Sequence, residues 1–465
     1  LDDGQKLTFN RVDNAVFVIF PRLQKKEAQT GAITILYHGQ PIIARNPPWD
    51  GGFSWTQDPD KNDWVVVSCE GIGASLWWPN KDHLSDEPDS MDIRITVPNT
   101  LQAISNGRLV EQRATAPGKT TFHWAVSYPI NNYNVTLNVG NYAHFHEIYQ
   151  ALDGDSLDLD YYVLPRNLAK AKEHFKMVPE MLRIYEEYLG KYPFWKDGYA
   201  LVETPTLGME HQGAISYGNK YQRGYLGGRI PDDMKWDYII VHESGHEYWG
   251  NSVSCNDLAE MWLHEGFTTY MEALYVEKRF GEYRAIEYLL DQRRNIQNSA
   301  PIVGKMDMNY SPMYATDQYY KGSWFLHTLR HVIDDDCVWF GMLQAYYRKY
   351  ALSHVTTQEF IDFVQAYTGK DYSDFFMQYL YYPKPPTLEY SLTQKGKNLM
   401  VKYKWKVDVS RFDMPIVVGN LEKPIKIYPN NQEWKTLTIP RMKAKDFQVA
   451  TSFFYVNTHQ VMKRK

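Results

Sequence analysis

Two histidines spaced four residues apart, His242 and His246, are the first pair in this sequence that could do chemistry. They enclose the segment His242-Glu-Ser-Gly-His246, inside a run from Trp236 to Trp249 that has a helical pattern. Residues four apart project from one face of a helix, as two ligands of one metal ion must. Neutral imidazole suits Zn²⁺, and a catalytic zinc takes three protein ligands and keeps a fourth position for water. The pair therefore predicts a zinc site.

The third ligand is expected from a second helical stretch, which runs from Met261 to Tyr270 and contains Glu265. Eighteen residues separate His246 from Glu265. A helix, a turn and an antiparallel helix would bring this carboxylate back to the histidines. Glu243 would then lie beside the water that the metal activates, where it could accept a proton.

A second histidine pair tests how specific this pattern is. His327 and His331 are also four apart on a predicted helix, but Thr328 stands where a base would be needed, and no carboxylate follows at a suitable spacing. We predict that this second pair binds no metal. Gly245, inside the first motif, costs about 1 kcal/mol relative to Ala in a helix. It indicates either close packing at the metal site or a neutral replacement.

Several segments resemble the zinc aminopeptidases of the aminopeptidase N and leukotriene hydrolase type, which are gluzincin metallopeptidases. The resemblance rests on the following segments: His242-Glu-Ser-Gly-His-Glu-Tyr-Trp-Gly-Asn251, Trp262-Leu-His-Glu-Gly-Phe267, Leu207-Gly-Met-Glu-His211, Tyr319-Tyr-Lys-Gly322, and Cys69-Glu70 with Trp78-Pro79. The third is similar to the family's exopeptidase motif Gly-Ala-Met-Glu-Asn, and the fourth to its Tyr-x-Lys-Gly segment. Three positions depart from the family pattern: Leu207, His211 and His264.

The resemblance implies roles for residues outside the metal set. It assigns the catalytic tyrosine to Tyr319 rather than to Tyr320, because Tyr319 opens the Tyr-x-Lys-Gly segment. It also implies that acidic side chains bind the free amine of a substrate, since a carboxylate can form a charge-assisted hydrogen bond to an ammonium group. The implied substrate-binding residues are Gly208, Met209, Glu210 and Glu70.

The pattern of the chain predicts an α+β protein with three domains. Short β-branched and aromatic stretches separated by turn signals predict an all-β domain in residues 1–152. Apolar residues at three-and-four spacing predict a helix from Leu168 to Leu189, and four or five more helices up to Tyr381. The resemblance identifies this region, residues 153–384, as a thermolysin-like catalytic domain. Three prolines then end the helices, and alternating strands predict a β-sandwich in residues 385–465.

Composition excludes several classes of protein. The 465 residues are 44% hydrophobic with a net charge of −5, so fibrous and wholly disordered chains are excluded. There is no apolar run of about 18 residues, which predicts no transmembrane segment. The slight negative charge predicts no nucleic-acid partner. Three cysteines without a CxxC pair indicate neither a disulfide framework nor a thiolate zinc site. A chain that begins with Leu1 favours a processed, extracytoplasmic protein over a cytoplasmic one.

These observations predict a zinc-dependent aminopeptidase, with one zinc per chain, that removes the first residue of peptides with a free N-terminus. Three alternatives stay open. A thermolysin-type endopeptidase would share the zinc ligands but would not need Glu210. An epoxide hydrolase activity, as in the leukotriene branch, is not favoured by any residue. A catalytically inactive scaffold would have lost ligands, whereas all three ligands, Glu243 and Tyr319 are present. Oligomeric state is not encoded in any recognisable pattern.

Overall fold

The computed structural model describes residues 4–20, 31–308, 316–420 and 423–461. Strands dominate its N-terminal part, helices its middle and strands its C-terminal part, which confirms the predicted α+β class. The three domain limits remain a prediction. Position 152/153 lies in the turn between two strands that pair along their whole length.

The N-terminal part contains a hairpin and two antiparallel sheets, ordered β3-β4-β9-β6 and β5-β8-β7. The two sheets enclose one core, in which Val67, Ile104 and Trp124 are buried. Strand β4 ends at Ser68, directly before the Cys69-Glu70 segment. The strands are β1 Thr8–Val12, β2 Ala15–Ile19, β3 Gly52–Gln57, β4 Asp63–Ser68, β5 Met91–Pro98, β6 Gln102–Ser105, β7 Arg108–Ala116, β8 Lys119–Val126 and β9 Leu137–Gly140.

A five-stranded mixed sheet, ordered β10-β11-β12-β14-β13, begins the central part. Its middle strand β12 is buried along its whole length, as expected of a strand covered on both faces. Strand β13 lies at the edge of the sheet and consists of Gly208 and Met209 of the implied exopeptidase motif. The strands are β10 Ala143–Gln150, β11 Ser156–Val163, β12 Tyr199–Glu203, β13 Gly208–Met209 and β14 Ile215–Tyr217.

Helices form the rest of the central part, together with the short parallel pair β15 (Val253–Cys255) and β16 (Ser353–Val355). The helices are α1 Leu168–His174, α2 Met177–Leu189, α3 Tyr238–His246, α4 Trp262–Phe280, α5 Glu282–Arg293, α6 Asp317–Ile333, α7 Asp336–Tyr350, α8 Thr357–Thr368 and α9 Ser373–Leu380. In the described part of the chain, no helix combines the length and the apolar character needed to cross a membrane.

Two details of the helix prediction were wrong. The single helix expected from Leu168 to Leu189 is two helices, because the chain turns at Phe175 and buries that ring against Tyr161 and Tyr217. Seven further helices follow in the described ranges, rather than four or five. Left-handed residues end two of them, Asp334 after α6 and Gly369 after α8, and such single-residue breaks interrupt a helical pattern only briefly.

The C-terminal part is a sandwich of two sheets, ordered β21-β18-β17-β23 and β20-β19-β22. Its core is continuous with that of the helices, since Tyr379 of α9 donates a 2.7 Å hydrogen bond to the carbonyl of Tyr455. The strands are β17 Thr387–Lys395, β18 Asn398–Lys406, β19 Ile416–Asn420, β20 Lys423–Ile427, β21 Lys435–Ile439, β22 Gln448–Val449 and β23 Asn457–Gln460.

Helices α4 and α6 approach each other through two glycines. A β-carbon built on Gly322 of α6 would lie 2.8 Å from the Cα of Gly266 in α4, closer than real side chains come. The backbones can therefore touch only because both positions lack a side chain. Gly266 follows Glu265, and Gly322 lies one helical turn after Tyr319, so this contact sets the distance between two implied site residues.

We expect Gly322→Ala to lower the free energy of unfolding by about 1–3 kcal/mol, because the added methyl group forces two packed helices apart. The direction of the change in unfolding free energy distinguishes this steric effect from helix propensity. Without a steric clash, Ala would stabilise the helix relative to Gly by about 1 kcal/mol. Denaturant unfolding measures the change, and Ser323→Ala, at the next position, is the control that adds no atoms at the contact. An unchanged or raised stability of Gly322→Ala would contradict the steric explanation.

Candidate active site

Helix α3 begins at a strong cap and presents the two histidines to α4. Asp237 precedes the helix, and its carboxylate accepts hydrogen bonds from the backbone N–H groups of Ile239 and Ile240. Near the other end, a β-carbon built on Gly245 would lie 3.0 Å from the side-chain methyl group of Thr268 in α4. Gly245 therefore allows close packing between α3 and α4, which confirms the first of the two sequence-based explanations for this glycine.

The packing of α3 on α4 brings the three predicted metal ligands together. Nε2 of His242 lies 3.1 Å from Nε2 of His246, and Oε2 of Glu265 lies 3.4 Å and 3.3 Å from these two atoms. All three side chains are buried. Four ligands arranged tetrahedrally at the bond lengths usual for zinc would stand about 3.3 Å apart. The triangle therefore has the size that a zinc ion requires.

The hydrogen bonds around the triangle also fit a cation. Nδ1 of His242 lies 2.6 Å from Oε1 of Glu272, and Nδ1 of His246 lies 3.0 Å from the carbonyl oxygen of Trp249. Because a carboxylate and a carbonyl only accept, each ring carries its hydrogen on Nδ1 and directs the Nε2 lone pair into the triangle. Oε2 of Glu265 is buried and has no hydrogen-bond partner in the described ranges.

Glu243 lies beside this triangle and against the edge strand β13. A β-carbon built on Gly208 would lie only 2.6 Å from Oε1 of Glu243, so the carboxylate packs directly on the glycine backbone. The pKa of Glu243 is raised to about 8, chiefly by burial; the positive charge of His242 opposes this shift and the negative charge of Glu210 adds to it. A carboxylate with a pKa near neutrality can both accept and return a proton.

Glu210 is the second acidic side chain next to the triangle. Polar atoms of Glu210, Glu243 and His246 all lie within 4.8 Å of one another. The hydroxyl of Tyr133 donates a 3.1 Å hydrogen bond to Oε1 of Glu210, and the side-chain amide of Asn251 donates a 2.8 Å bond to its backbone carbonyl. Burial raises the pKa of Glu210 above its usual value. This acid is thus held in place and lies close to the predicted metal, although it does not belong to the triangle.

Glu70 lies at the end of β4, on the N-terminal side of the same region. The thiol of the neighbouring Cys69 donates a 3.3 Å hydrogen bond to the carbonyl of Tyr133. Burial raises the pKa of the Cys69 thiol, and the charges of Asp82, Glu70 and Glu210 add to the effect. The N-terminal part therefore contacts the central part at this acidic region, through Tyr133 and Glu210. Met209 is buried next to Glu210.

Tyr319 lies next to the triangle, and its neighbour Tyr320 lies near Glu272. The ring of Tyr319 stacks on that of His242, with centroids 6.1 Å apart and planes at 18°. Tyr238 stacks on the same imidazole at 5.3 Å and 12°. Burial raises the pKa of Tyr320, and the next largest influence is Glu272. Of the two adjacent tyrosines, the one that the motif singled out is thus the one that contacts a predicted ligand.

The three departures from the family pattern do not disturb the triangle. His264 is buried, and its Nε2 accepts a 2.6 Å hydrogen bond from the backbone N–H of Cys255. His211 is also buried, with Nδ1 3.1 Å from the hydroxyl of Ser216. Burial lowers the pKa of both imidazoles to about 3, so both are neutral. Leu207 is half-buried against the core. In the second histidine pair, Nε2 of His327 lies 3.2 Å from the carbonyl of Ser452.

Sequence reasoning missed the acid that orients His242. Glu272 is fully buried, and its Oε2 accepts hydrogen bonds from the hydroxyl of Tyr288 (2.5 Å) and the amide of Gln292 (2.8 Å), both on α5. One signal was present, because Glu272 lies seven residues after Glu265 and so on the same face of α4 two turns later. Tyr133, the partner of Glu210, lies in the N-terminal part and carried no comparable signal.

We expect Glu272→Ala to weaken zinc binding by about 10- to 100-fold, because Nδ1 of His242 loses the acceptor that fixes its tautomer and orientation. Glu272→Gln keeps a carbonyl acceptor and should lose less. Competition with a chromogenic chelator measures the affinity. The control is Glu186→Ala, another buried acid, which accepts hydrogen bonds from Tyr149 and Leu152. Equal zinc affinity in Glu272→Ala and the wild type would show that His242 is held by its stacking tyrosines alone.

Comparison with known proteins shows which families and relatives this chain is similar to. Residues 173–379 match the Peptidase family M1 domain. The chain is similar to the puromycin-sensitive aminopeptidase of Caenorhabditis elegans, with 23% identity over 365 residues, which are 75% of this chain and 38% of that protein. Aminopeptidase B of Mus musculus is 25% identical over 289 residues, 59% of this chain and 41% of the relative.

One relative is named as a transcription factor subunit rather than as an aminopeptidase. Transcription initiation factor TFIID subunit 2 of Drosophila melanogaster is 27% identical over 238 residues, which are 48% of this chain and 18% of that protein. The chain thus spans between 18% and 41% of the length of these three curated relatives.

Solved structures share the fold. The M1 zinc metallopeptidase from Deinococcus radiodurans superimposes with a TM-score of 0.66 at 20% identity, covering 81% of each chain. A mutant of the Deinococcus enzyme bound to a Tyr-Ser-Ala substrate gives 0.65 at 21%, covering 81% of this chain and 82% of that one. The matched domain, the named relatives and the shared fold agree with the motifs, and together they support a relationship of residues 173–379 to peptidase family M1.

Proposed function

We propose that this chain is a zinc-dependent aminopeptidase that hydrolyses the first peptide bond of peptides with a free N-terminus. One observation carries the proposal. The carboxylate of Glu210 lies within 4.8 Å of both Glu243 and the ligand His246, yet it is not one of the three converging ligands. An acid in that position can bind a substrate ammonium group while the scissile carbonyl lies at the metal. Two of the relatives described above are named aminopeptidases, which supports the same activity.

The residues that would hold the metal are His242, His246 and Glu265. When bound there, Zn²⁺ would polarise the scissile carbonyl and make a water molecule more acidic. The protein's contribution is the fixed arrangement of the three donors. Hydrogen bonds from Nδ1 of each histidine hold the rings, and the burial of Glu265 keeps competing donors away from its free oxygen.

Glu243 is the proposed proton acceptor and donor. Its position next to His242 in α3, and its contact with the backbone of Gly208, place the carboxylate between the metal ligands and the edge strand. Glu243 would take a proton from the attacking water and then deliver it to the amine that leaves. A pKa raised to about 8 by burial suits both steps.

Tyr319 is the proposed donor to the oxygen of the scissile carbonyl. Negative charge develops on that oxygen as water adds, and a hydroxyl already in place stabilises it without reorganisation. The stacking of Tyr319 on His242 puts its ring next to the metal ligands, and the glycine contact between α4 and α6 fixes the helix that carries it.

Glu210, with Glu70 as a second contact, is the proposed anchor for the α-ammonium group. The hydroxyl of Tyr133 donates to Oε1 of Glu210 and so holds the carboxylate beside the metal ligands, where it could bind an ammonium group. Binding the ammonium group at a fixed distance from the metal selects the first peptide bond. A thermolysin-type endopeptidase would have no need for this buried acid, and no observation favours an epoxide hydrolase.

The similarity to a transcription factor subunit leaves the scaffold alternative to be tested. The ligand triangle, Glu243 and Tyr319 are all present here and lie together, which supports catalysis in this chain. A scaffold would have no reason to keep five interdependent polar groups in one buried place, because unpaired buried polar groups destabilise a fold.

The test is hydrolysis of aminoacyl chromogenic amides, each beside its N-acetylated counterpart. We expect cleavage of the free-amine forms only. Glu210→Ala should lower kcat/KM on these forms by about 10- to 100-fold, since a hydrogen bond to a charged group is lost. Equal cleavage of acetylated amides by the wild type would favour the endopeptidase. No cleavage by protein shown to contain zinc would favour the scaffold.

Tyr319→Phe is expected to lower kcat by about 10²- to 10³-fold, because one donor to the developing oxyanion is removed. Tyr320→Phe is the matched control, with the same atom deleted at the next position, and should stay close to wild type. Zinc content is measured in both variants, so that loss of metal is not mistaken for loss of the hydroxyl. The reverse pattern of activities would exchange the assignments of the two tyrosines.

A further inference from the structure

Charge is distributed unevenly between the C-terminal β-sandwich and the rest of the chain. Residues 385–465 contain 15 Lys and Arg against 6 Asp and Glu, a net charge of +9. Residues 1–384 contain 35 against 49, a net charge of −14. The overall value of −5 conceals this difference. The chain is therefore strongly dipolar, with its positive end in the sandwich.

Five cations of the sandwich gather around one open depression of about 590 Å³. They come from the turn between β17 and β18 and from the segment that follows β21, and all five are exposed. We call them the basic cluster: Lys395, Lys397, Arg441, Lys443 and Lys445. Lys395 ends β17, and the other four line the depression.

Neutral groups hold the two segments of the basic cluster together. The amide nitrogen of Gln394 donates hydrogen bonds of 3.1 Å to the carbonyls of Gly396 and Met442. Its amide oxygen accepts a 3.2 Å bond from the backbone N–H of Ala444. The side chain of Asn398 accepts a weaker 3.4 Å bond from the N–H of Arg441. The cations are thus positioned by the fold rather than by acids.

No ion pair is formed by the basic cluster with any residue in the described ranges. The nearest acid in sequence is the exposed Asp446. More lysines extend the positive surface along β18, where Lys402, Lys404 and Lys406 alternate with the buried residues Val401, Tyr403 and Trp405. Glu389 of β17 is the cross-strand partner of Lys404, so the lysine face carries one acid. Like charges held close together repel one another, as they do in the basic cluster.

We propose that the basic cluster and the lysine face of β18 dock the chain on the surface of an anionic lipid bilayer. Lysines are compact, strongly hydrated charges that suit a diffuse layer of headgroup phosphates. A dipolar protein meets a negative plane with its positive end, while its negative part is repelled. The catalytic part would then remain on the side away from the lipid.

The composition of the surface disfavours nucleic acid as the partner. Single strands are bound by exposed aromatic rings on which bases stack, and the basic cluster and the outward residues of β18 contain none. Specific duplex readers rely on Arg for paired hydrogen bonds to bases, whereas four of the five cluster residues are Lys. A lipid surface needs neither feature.

Co-sedimentation with vesicles tests the proposal on the full chain. We expect binding to vesicles that contain 30% phosphatidylglycerol in phosphatidylcholine, no binding to pure phosphatidylcholine, and release in 0.5 M salt, because exposed charges are screened. The triple variant Lys397→Glu, Lys443→Glu, Lys445→Glu should bind more weakly by on the order of a hundredfold.

The matched control reverses three exposed lysines elsewhere, Lys61→Glu, Lys119→Glu and Lys172→Glu, and so has the same net charge. We expect it to retain binding, which separates the surface from the total charge. Circular dichroism and thermal unfolding show that both variants fold. The proposal is overturned by equal binding to neutral and anionic vesicles, or by equal loss in both variants. Binding to heparin or DNA but not to vesicles would overturn it in favour of a soluble polyanion.

Discussion

The distance between α3 and α4 is the constraint on which the rest of the site depends. Three buried polar atoms, from His242, His246 and Glu265, lie 3.1–3.4 Å apart, and a change of a few tenths of an ångström would remove their common centre. Gly245 sets this distance because its missing side chain lets Thr268 approach. Buried polar atoms without partners destabilise a fold unless an ion satisfies them. The packing of the two helices therefore also determines the geometry of the proposed metal site.

The segment that follows α3 positions the substrate-binding side as well. Glu247 accepts a 3.0 Å hydrogen bond from the backbone N–H of Gly213 and a 2.9 Å bond from the hydroxyl of Tyr192. Asn251 holds the carbonyl of Glu210. One short stretch thus carries a proposed metal ligand on one side and, on the other, fixes the loop that contains Glu210, the proposed amine-binding acid. This shared support explains how the distance from Glu210 to the metal ligands can be kept constant.

The sequence was most informative where only local geometry was needed. Spacing on a single helix is enough to pair His242 with His246, and the strand pattern is enough to predict both β-rich parts. Contacts between distant segments could not be predicted from the sequence. An example is the hydrogen bond from Tyr133 to Glu210, two residues that lie 77 positions apart. The same limit applied to charge, because the total of −5 does not show that residues 385–465 carry +9 and residues 1–384 carry −14.

The junction with the C-terminal sandwich helps to hold the helix that carries Tyr319, although the sandwich supplies none of the proposed catalytic residues. Lys321, two residues after Tyr319 on α6, is fully buried and donates hydrogen bonds of 2.9 Å and 2.8 Å to the carbonyls of Tyr382 and Pro383. Burial lowers the pKa of Lys321 to about 8, and the nearby charge of Asp317 opposes this shift. The two carbonyls accept hydrogen bonds from the buried amino group. They lie in the junction that leads into the sandwich. The helix of Tyr319 is therefore fixed from two sides, by Gly266 of α4 and by this junction, and movement of the sandwich would be transmitted to the tyrosine.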